Sequence, residues 1–480
     1  MLTGCDGAGM VDHAGAGPRS IDRNRDSRAH MEPPSERDSG YGRPWLNAIT
    51  VSGFKSAREP VRVRLGDLTV LAGPNSAGKS TIMQPLLMLK QTIEKDYETA
   101  GLAIDGPLVK FSRVEQFLAR LAVGHSSQGF AVTYRHVNVD TTFHYATVDD
   151  GPFGLSSIET ERDGRTATWR LGDIISEADA RFASGWIVRG RISEAQEGAD
   201  RYKVERIGPR LVARRLSDDA GDPEIPAAQA LSSARPLVAG ERSIHDARSL
   251  IYLPGLRGNP ERSYPIGVGG PFFPGSFNDY AASVIHHWQL MNDPRLDGLS
   301  RVLGAIGLAR RVVPTRLDDT RVELRVGRLP PAARGGARDT VNIADVGFGV
   351  SQTLPVLVAL LAAAQGQIVF IEQPELHLHP RAQAALAGPL VAAAKRGVRV
   401  VAETHSSALI LAIQTLVAKG EIAPEHVSLN WFSRDESGQT RVTEAELGAD
   451  GSYGDWPSDF DAVELGLHDA YMTEVEKRRA

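Results

Sequence analysis

Cysteine is almost absent from this chain, which has one, Cys5, among 480 residues. A single thiol permits no disulfide within the chain and is typical of a reducing compartment. Long apolar runs are absent too: the longest, residues 354–364, is well short of the roughly 20 residues that a helix needs to cross a bilayer. The start of the chain lacks the basic and apolar segments of a signal peptide. We therefore expect a cytoplasmic protein that does not contact membranes.

Lysine is also scarce, with nine residues among the 54 basic ones, so arginine supplies most of the positive charge. Acidic residues number 59 and the net charge is −5, which excludes a uniformly positive surface for nucleic acid. Any such contact must come from a local patch. Hydrophobic residues make up 42% of the chain, which is long enough to bury more than one average core. We expect two lobes, or one enlarged domain with an insertion.

The first 44 residues differ in composition from the rest of the chain. They are rich in Gly, Ser, Arg and Asp and show almost no apolar pattern, so they could not offset the entropy lost on folding. We predict a disordered tail over residues 1–44. Met31 stands just before the ordered pattern begins, so the native start is either Met1 or Met31.

The remaining sequence divides into a split head and an insertion. Residues 45–125 and 246–480 show strand and helix patterns of the α/β class, which predicts two parts of one domain. Residues 126–245 consist of short alternating stretches between charged turns, which predicts a β-rich insertion with a regulatory role. A final amphipathic helix is predicted over residues 460–477.

The most specific motif is GPNSAGKS at residues 73–80, which fits the phosphate-binding pattern G-x-x-x-x-G-K-[ST] without a mismatch. It follows a strand predicted over residues 68–72 and precedes a helix predicted over residues 78–94. In such a loop the backbone N–H groups and the helix N-terminus face phosphates, Lys79 reaches the β and γ phosphates, and Ser80 binds Mg²⁺. We therefore predict a nucleoside triphosphate site.

Three further motifs follow in the C-terminal region. The strand predicted over residues 368–372 ends in Glu372, which we interpret as the metal-side acid, the alternative being a solvated glutamate at a strand end. GFGVSQ at residues 347–352 opens a long apolar helix and is either a second anion site or a flexible loop with a helix cap. ETHS at residues 403–406 follows another apolar strand, where open α/β sheets bind ligands, and its His405 is either functional or structural.

Together these motifs resemble the RecF/SMC/OLD-like AAA ATPases, a group of the ABC type. The resemblance rests on VSGFKS at 51–56, the loop at 72–81, residues 345–354, IEQPELHLHP at 371–380, and ETHS at 403–406. The closing GDWPSDF at 454–460 resembles the C-terminal tail of a prokaryotic branch. The resemblance covers roughly residues 45–125 and 246–465. It implies a P-loop NTPase fold of the ABC-ATPase type, with a mixed sheet flanked by helices and a β-rich insertion between the phosphate-binding loop and the signature motif.

The resemblance also implies a homodimer with two ATP molecules at its interface. The first subunit would bind ATP and Mg²⁺ through Gly73, Asn75, Ser76, Gly78, Lys79, Ser80 and Thr81, with Ser80 and Glu372 on the metal. The second subunit would meet the γ-phosphate with Gly349, Ser351 and Gln352. His405 would sense the γ-phosphate. Residues 374–380 would line the interface, so His377 and His379 are expected to pack there rather than to bind a metal.

One residue departs from the pattern of most ABC ATPases. They have a glutamate directly after the metal-side acid to polarise the attacking water, whereas this chain has Gln373. A neutral amide cannot accept a proton, although glutamine can orient water in some nucleotide hydrolases. We therefore predict slow ATP hydrolysis, with Glu375 as a possible substitute base.

The resemblance suggests a role in DNA repair or anti-phage defence, through DNA or a separate effector protein. A basic run could contact DNA phosphates, although a solvated face explains it as well; its members are Arg201, Lys203, Arg206, Arg210, Arg214 and Arg215. Arg257 and Arg262 lie in a turn-rich stretch and are either ligand contacts or structural. Some relatives carry a nuclease domain after the switch histidine, but residues 406–480 contain no convincing acidic cluster, so we expect no intrinsic nuclease.

Two other functions compete with that of a nucleotide-gated switch. A binding module that holds ATP without turnover is favoured by Gln373. The nucleotide-binding subunit of a transporter is disfavoured, because the sequence L-S-G-G-Q is absent and the insertion is large.

Overall fold

The computed structural model describes residues 45–95, 101–122, 125–148, 151–184, 201–207, 210–216, 237–267, 270, 272–329 and 339–453. The predicted tail over residues 1–44, the GDWPSDF run and the predicted helix over residues 460–477 lie outside the described residues.

The strands, in chain order, are β1 Ala48–Ser52, β2 Val61–Arg64, β3 Leu68–Ala72, β4 Arg120–Ala122, β5 His125–Ser126, β6 Gly129–His136, β7 Val139–Ala146, β8 Gly154–Arg162, β9 Arg165–Arg170, β10 Ile174–Ser176, β11 Arg201–Ile207, β12 Arg210–Arg215, β13 Leu237–Val238, β14 Ile251–Leu253, β15 Tyr264–Pro265, β16 Arg311–Arg316, β17 Arg321–Gly327, β18 Thr340–Asn342, β19 Ile368–Glu372, β20 Arg399–Glu403, β21 Val427–Arg434 and β22 Thr440–Ala445. The α-helices are α1 Lys79–Glu94, α2 Glu177–Ser184, α3 Glu241–Ser249, α4 Ala281–Leu290, α5 Arg295–Ile306, α6 Phe348–Ala362, α7 Pro380–Ala385, α8 Ala387–Lys395 and α9 Ser407–Ala418.

The main sheet has the strand order β14-β19-β20-β3-β21-β22. Neighbouring strands are parallel, except that β22 is antiparallel to β21. The parallel strands are nearly continuous apolar runs because helices cover both faces of such a sheet, and every residue of β3 is buried. The sheet is therefore mixed and flanked by helices, which confirms the predicted fold class.

Helices α1 and α6 pack on opposite faces of this sheet. Side chains of α1 such as Ile82 and Met83 share one hydrophobic cluster with Leu71 of β3. Leu354 of α6 belongs to a second cluster, which contains Val70 of the same strand. Since successive residues of a strand point to opposite faces, the two helices are separated by the sheet.

A buried ion pair joins the N-terminal and C-terminal parts of the head. Arg399, at the start of β20, donates to Asp67 Oδ1 at 2.9 Å. The same guanidinium donates to Leu46 O at 3.0 Å and to Leu65 O at 2.6 Å. Removing one partner of such a pair leaves an uncompensated buried charge and costs roughly 3–5 kcal/mol. This contact therefore fixes β20 against the segment that leads into β3.

The second large sheet is antiparallel, with the order β2-β1-β6-β7-β8-β9. Along β6, β7 and β9 buried positions mostly alternate with less buried ones, and the buried side chains of the sheet include Tyr134, Phe143, Ile158 and Trp169. Strands from the predicted insertion thus extend the sheet that β1 and β2 begin. The β-rich texture is as predicted, while the boundary at residue 126 stays a prediction.

Smaller sheets complete the described chain. Strands β10-β11-β12-β13 form one antiparallel sheet, β15-β17-β16 form another with β18 paired to β17, and β4 pairs with β5. Among the described residues, none of the helices has the length and apolar character needed to cross a membrane.

Candidate active site

The phosphate-binding loop turns sharply between β3 and α1. Gly73 and Gly78 have φ angles of 138° and 104°, and Ser76 has a φ of 62°, all in the left-handed region. A Cβ on Gly73 would lie 2.3 Å from Phe432 O, and one on Gly78 would lie 2.3 Å from Thr440 Oγ1. Neither position accepts a side chain, because the loop lies directly against β21 and β22. The two glycines therefore hold the loop in its tight curve.

The N-terminus of α1 faces this loop without a side-chain cap. Gly78 is the cap residue, and the first turn of the helix contains no acidic residue. Asn75 and Ser76, at the tip of the loop, are exposed, whereas Thr81 is buried and its N–H donates to Gly78 O at 3.0 Å. The free N–H groups and the positive end of the helix dipole together favour an anion at this position.

Lys79 lies beneath the loop. Its Nζ donates to Gly73 O at 3.0 Å and to Pro74 O at 2.9 Å, and the residue is 3% exposed. Burial lowers the pKa of Lys79, while the carboxylates of Glu403 and Glu375 oppose this shift. The ammonium group is therefore held where a phosphate in the loop would meet it.

The Ser80 hydroxyl is hydrogen-bonded to Glu403, an acid to which the sequence motifs assign no role. Ser80 Oγ donates to Glu403 Oε2 at 2.9 Å and to Oε1 at 3.2 Å. Burial raises the pKa of Glu403 to about 7, Glu372 and Glu375 add to the shift, and Ser80 and Lys79 oppose it. A sequence signal did exist, since Glu403 is the one acid of β20 and directly follows three apolar residues. The strand order that brings it beside Ser80 cannot be read from that signal.

Glu372 ends the neighbouring strand and has different partners. Its carboxylate accepts from Tyr252 Oη at 3.0 Å and from Gly255 N at 3.2 Å. Glu372 and Glu403 are register partners across β19 and β20. Burial, together with the charge of Glu372, raises the pKa of Tyr252 well above its ordinary value, so the phenol remains a donor. Two carboxylates therefore lie side by side at the C-terminal ends of β19 and β20, the same end of the sheet at which the phosphate-binding loop begins.

Gln373 and Glu375 follow directly along the chain. Gln373 has a left-handed φ of 45°, and its N–H donates to Glu403 O at 2.7 Å. Glu375 is 7% exposed, and its Oε1 accepts from Thr404 Oγ1 at 2.7 Å and from His405 N at 2.9 Å. Its Oε2 is buried with no hydrogen-bond partner among the described residues. Glu375 therefore fixes the backbone that carries His405.

His405 lies next to the phosphate-binding loop. The N–H of the preceding residue, Thr404, donates to Leu71 O at 3.0 Å, which ties this segment to β3. Partial burial and the nearby charge of Lys79 lower the pKa of His405, and a hydrogen bond to the Gly73 carbonyl opposes the shift. The structure thus brings the predicted switch histidine together with the predicted phosphate site.

The signature helix α6 begins on the other face of the sheet. Gly347 is its cap residue, no side chain caps it, and its first turn has no acidic residue. Gly347 is exposed, and Phe348 is 49% exposed with its ring 5.6 Å from the His377 ring. A Cβ on Gly349 would lie 3.4 Å from His377 O, which is ordinary contact. The start of α6 therefore presents backbone N–H groups and an aromatic ring to solvent.

Ser351 and Gln352 are directed into their own chain. Ser351 Oγ donates to Phe348 O at 3.1 Å, and Gln352 Nε2 donates to Gly258 O at 2.7 Å. Both residues are buried. A contact between either side chain and a phosphate of another subunit would require these hydrogen bonds to be exchanged.

The Arg257 side chain is buried and donates to backbone carbonyls of its own chain. Its Nη2 donates to Glu372 O at 2.6 Å and to Gln373 O at 3.1 Å, and its Nη1 donates to Gln352 O at 3.4 Å. Burial lowers the pKa of Arg257 to about 10, with Glu375 and Glu372 opposing the shift. This guanidinium therefore joins the end of β19 to the first turn of α6.

Arg262 lies at the surface and pairs with Asp345. Their closest atoms, Arg262 Nη2 and Asp345 Oδ1, are 2.8 Å apart, and the two side chains are 73% and 47% exposed. Exposed pairs of this kind contribute at most about 1 kcal/mol. Arg262 thus lies near the start of α6 and does not organise it.

Metal ligands at this site are few. His379 caps α7 by accepting from Arg381 N at 3.3 Å. In the part of the chain that the structure describes, no group of three or more His, Cys, Asp or Glu side chains is placed to hold a metal ion. A Mg²⁺ ion at Ser80 and Glu372 would therefore need phosphate oxygens among its ligands, which is how this ion commonly binds in nucleotide sites.

Most of the predicted site residues therefore meet at the C-terminal ends of β3, β19 and β20. The residues that meet there are Gly73, Gly78, Lys79, Ser80, Glu372, Gln373, Glu375 and His405, joined by the unpredicted Glu403. A glycine cradle, a buried ammonium, a hydroxyl and two adjacent carboxylates fit a nucleoside triphosphate with Mg²⁺. Gly349, Ser351 and Gln352 belong to the helix on the opposite face.

Comparisons with known proteins give one family and several structures. Residues 242–412 match the family model described as "AAA domain, putative AbiEii toxin, Type IV TA system". No curated protein matches the chain. The SMC head bound to the C-terminal winged-helix domain of ScpA is 13% identical, with 84% of this chain and 98% of that chain covered and a TM-score of 0.39.

Two further SMC heads are similar at the same level. The head domain from Thermotoga maritima is 10% identical, covers 84% of this chain and 100% of its own, and has a TM-score of 0.35. The head domain with an extended coiled coil, bound to the C-terminal domain of ScpA from Pyrococcus furiosus, is 12% identical over 91% and 100%, with a TM-score of 0.39.

The matched residues 242–412 include the signature helix, both acidic strand ends and His405. The phosphate-binding loop precedes them in the chain and lies at the same end of the sheet, because it follows β3, the neighbour of β20. The chain accordingly has a P-loop fold of the ABC-ATPase type, and its residues 242–412 are similar to the AAA family model.

Proposed function

We propose that this ATPase binds Mg²⁺ and ATP between two copies of the chain and acts as a nucleotide-gated switch. The observation that carries the proposal is the separation of two anion-facing helix ends. The N-terminus of α1 is surrounded by Lys79, Ser80 and His405 of its own chain, whereas the N-terminus of α6 faces solvent. A second copy, related by a two-fold axis, would bring the start of its α6 to the bound γ-phosphate.

Each residue of the first half-site would have a separate task. The loop N–H groups and Lys79 would bind the phosphates, and Ser80 and Glu372 would hold the metal, with Glu372 oriented by Tyr252 and Gly255. When bound, Mg²⁺ neutralises charge that develops on the phosphate oxygens. His405 would donate to the γ-phosphate.

Hydrolysis would be slow because the residue best placed to face the attacking water is an amide. Gln373 can orient a water molecule but cannot remove its proton. Glu375 already accepts two hydrogen bonds through Oε1, so only its buried Oε2 is free to act as a substitute base. If neither residue supports hydrolysis, the same site would hold ATP without turnover.

The mass of the protein in solution tests the switch. Light scattering after gel filtration should show a monomer with ADP and a dimer with Mg²⁺ and ATP, and Lys79→Ala should remain a monomer in both. A phosphate-release assay on the same samples separates slow turnover from none. An unchanged mass at saturating ATP, in protein that demonstrably binds it, would remove the dimeric switch.

We further propose that the dimer acts on DNA or on a separate effector protein, in DNA repair or defence. The description of the matched family names a toxin of a toxin–antitoxin system, which supports a defence role. On β11 and β12, Arg201, Lys203 and Arg214 point to one exposed face, where Arg214 Nε lies 3.4 Å from Glu205 Oε2. Three cations against one acid form a local patch of the kind that phosphates require.

DNA binding is tested by its dependence on salt. Wild-type affinity for duplex DNA should fall steeply as salt rises, and the double change Lys203→Ala with Arg214→Ala should reduce that slope by about 2, since each contact releases about one counterion. Arg316→Ala, an exposed arginine in a different sheet, is the matched control. An affinity that is insensitive to salt would favour the protein effector instead.

A further inference from the structure

Glu372 and Glu403, the acids that end β19 and β20, do not make the contacts that the sequence motifs predict. Glu372 is assigned to the metal by sequence, yet its carboxylate is bound by Tyr252 and Gly255. The hydroxyl of Ser80 donates instead to both oxygens of Glu403, at 2.9 and 3.2 Å. The acid coupled to Ser80 is thus one strand closer to the phosphate-binding loop.

Strand order explains why Glu403 reaches Ser80. Strand β20 lies between β19 and β3, so its last residue is next to the strand that leads into the loop. Glu403 is in register with Glu372 on one side and with Leu71 on the other. Its carbonyl accepts from Gln373 N at 2.7 Å. The backbone that carries Glu403 is therefore fixed by both neighbouring strands.

The surroundings of Glu403 favour a cation. The residue is 7% exposed, and it shares this edge with Glu372 and with the 7% exposed Glu375. Lys79 and Arg257 supply two positive charges against these three carboxylates. A buried excess of negative charge is costly unless a counter-charge compensates it. The site is thus arranged for a divalent ion that the nucleotide brings with it.

A hydroxyl that binds a metal through its oxygen still has a proton to donate. We propose that Glu403 accepts a hydrogen bond from the Ser80 hydroxyl and would thereby leave a lone pair of Ser80 Oγ available to Mg²⁺, which makes Glu403 a positioning residue for the metal ligand Ser80. The proposal rests on the function proposed above. Outer partners of metal ligands of this kind fix ligand orientation, and their loss commonly costs 10–100-fold in metal affinity.

The test is the gain in nucleotide affinity that Mg²⁺ produces. A fluorescent, non-hydrolysable ATP analogue is titrated into each protein in EDTA and again across a range of Mg²⁺ concentrations. In the wild type Mg²⁺ should strengthen binding. In Glu403→Ala and in Ser80→Ala the gain should fall by roughly 10–100-fold. In EDTA the affinity of Glu403→Ala should rise, because a negative charge near the phosphates has been removed.

Three further variants sharpen the result. Glu403→Gln keeps an oxygen that accepts from Ser80 and should lose less of the gain than Glu403→Ala. The double variant Ser80→Ala with Glu403→Ala should lose no more than either single one, because the two residues act as a unit. Glu425→Gln, at an exposed position, should match the wild type. Circular dichroism checks that each protein folds, and Glu403→Gln keeps the test open if the alanine variant does not.

Two outcomes would contradict the proposal in different ways. A full Mg²⁺ gain in a folded Glu403→Ala or Glu403→Gln protein, or additive losses in the double variant, would overturn the role of Glu403 alone. A wild-type protein that binds no nucleotide in either buffer would overturn the proposed function, and this proposal with it.

Discussion

The ends of α1 and α6 are alike in their own backbone and differ in what surrounds them. Both helices have a glycine as the cap residue, lack a side-chain cap and have no acidic residue in the first turn. Around α1, Lys79 and Ser80 are already fixed by hydrogen bonds to the loop and to Glu403. Around α6, the exposed Gly347 and Phe348 contact solvent. One chain therefore builds a complete binding half and a separate surface that needs a partner.

The difference also separates affinity from assembly. Groups that surround α1 should control how tightly a single chain binds nucleotide. Groups at the start of α6 should control what happens after binding, when two chains meet. Substitutions at the two helix ends should consequently change different measurements.

The largest expected effect is on the α1 side. Lys79→Ala removes a buried ammonium that phosphates would contact, and it should weaken nucleotide binding by at least about 100-fold. Fluorescence titration with a labelled ATP analogue measures this change. Lys419→Ala, at the exposed end of α9, is the control and should bind as the wild type does. Equal affinities for the two variants would contradict the assignment of the loop.

The next effect is on the α6 side. Gly349→Asp places a carboxylate where a partner's γ-phosphate would approach, and repulsion should reduce ATP-dependent dimerisation and turnover by roughly 10-fold or more. Binding to the single chain should change by less than about 2-fold, since the local space accepts a Cβ. Gly388→Asp, at an exposed glycine with nothing within 4 Å, is the control. Weakened binding to the single chain would show that the two helix ends are not independent.

A smaller effect is expected on the chemical step. Gln373→Glu supplies a group that can accept a proton and should raise turnover about 10-fold, less than the roughly 100-fold or more that an optimised general base contributes. Phosphate release under saturating ATP measures it. Gln289→Glu, exposed on α4, is the control.

Glu375→Ala completes this test. It should lower turnover, because Thr404 and the His405 backbone lose their acceptor. Fast wild-type turnover that neither change at Gln373 nor the change at Glu375 affects would refute the account of slow hydrolysis.

The smallest effect is expected at the surface pair beside α6. Arg262→Ala removes the ion pair with Asp345 and should lower the free energy of unfolding by less than about 1 kcal/mol. Turnover should stay within about 2-fold of the wild type. Chemical denaturation and phosphate release measure the two quantities. A large loss of ATP-dependent dimer in this variant would instead place Arg262 in the interface.

The local parts of the site could be predicted from the sequence, and the long-range parts could not. The spacing of glycines and Lys79 predicts the loop, and the helix predicted over residues 78–94 is observed as Lys79–Glu94. The bond between Ser80 and Glu403 joins residues 323 apart, and only the order of strands in the sheet creates it. The buried Arg257 could not be distinguished from a ligand contact for the same reason. Three of its acceptors are carbonyls of distant segments.

The central position of β3 has a consequence for how the protein is made. A ribosome releases β3 long before it completes β20 and β21, the two strands that flank it in the finished sheet. The nascent chain must therefore keep an apolar strand with two bare edges until translation is nearly finished. A fragment that starts at residue 242 would lack its middle strand altogether. Chaperone demand during synthesis should accordingly be high, and expression of the C-terminal piece alone should give aggregates.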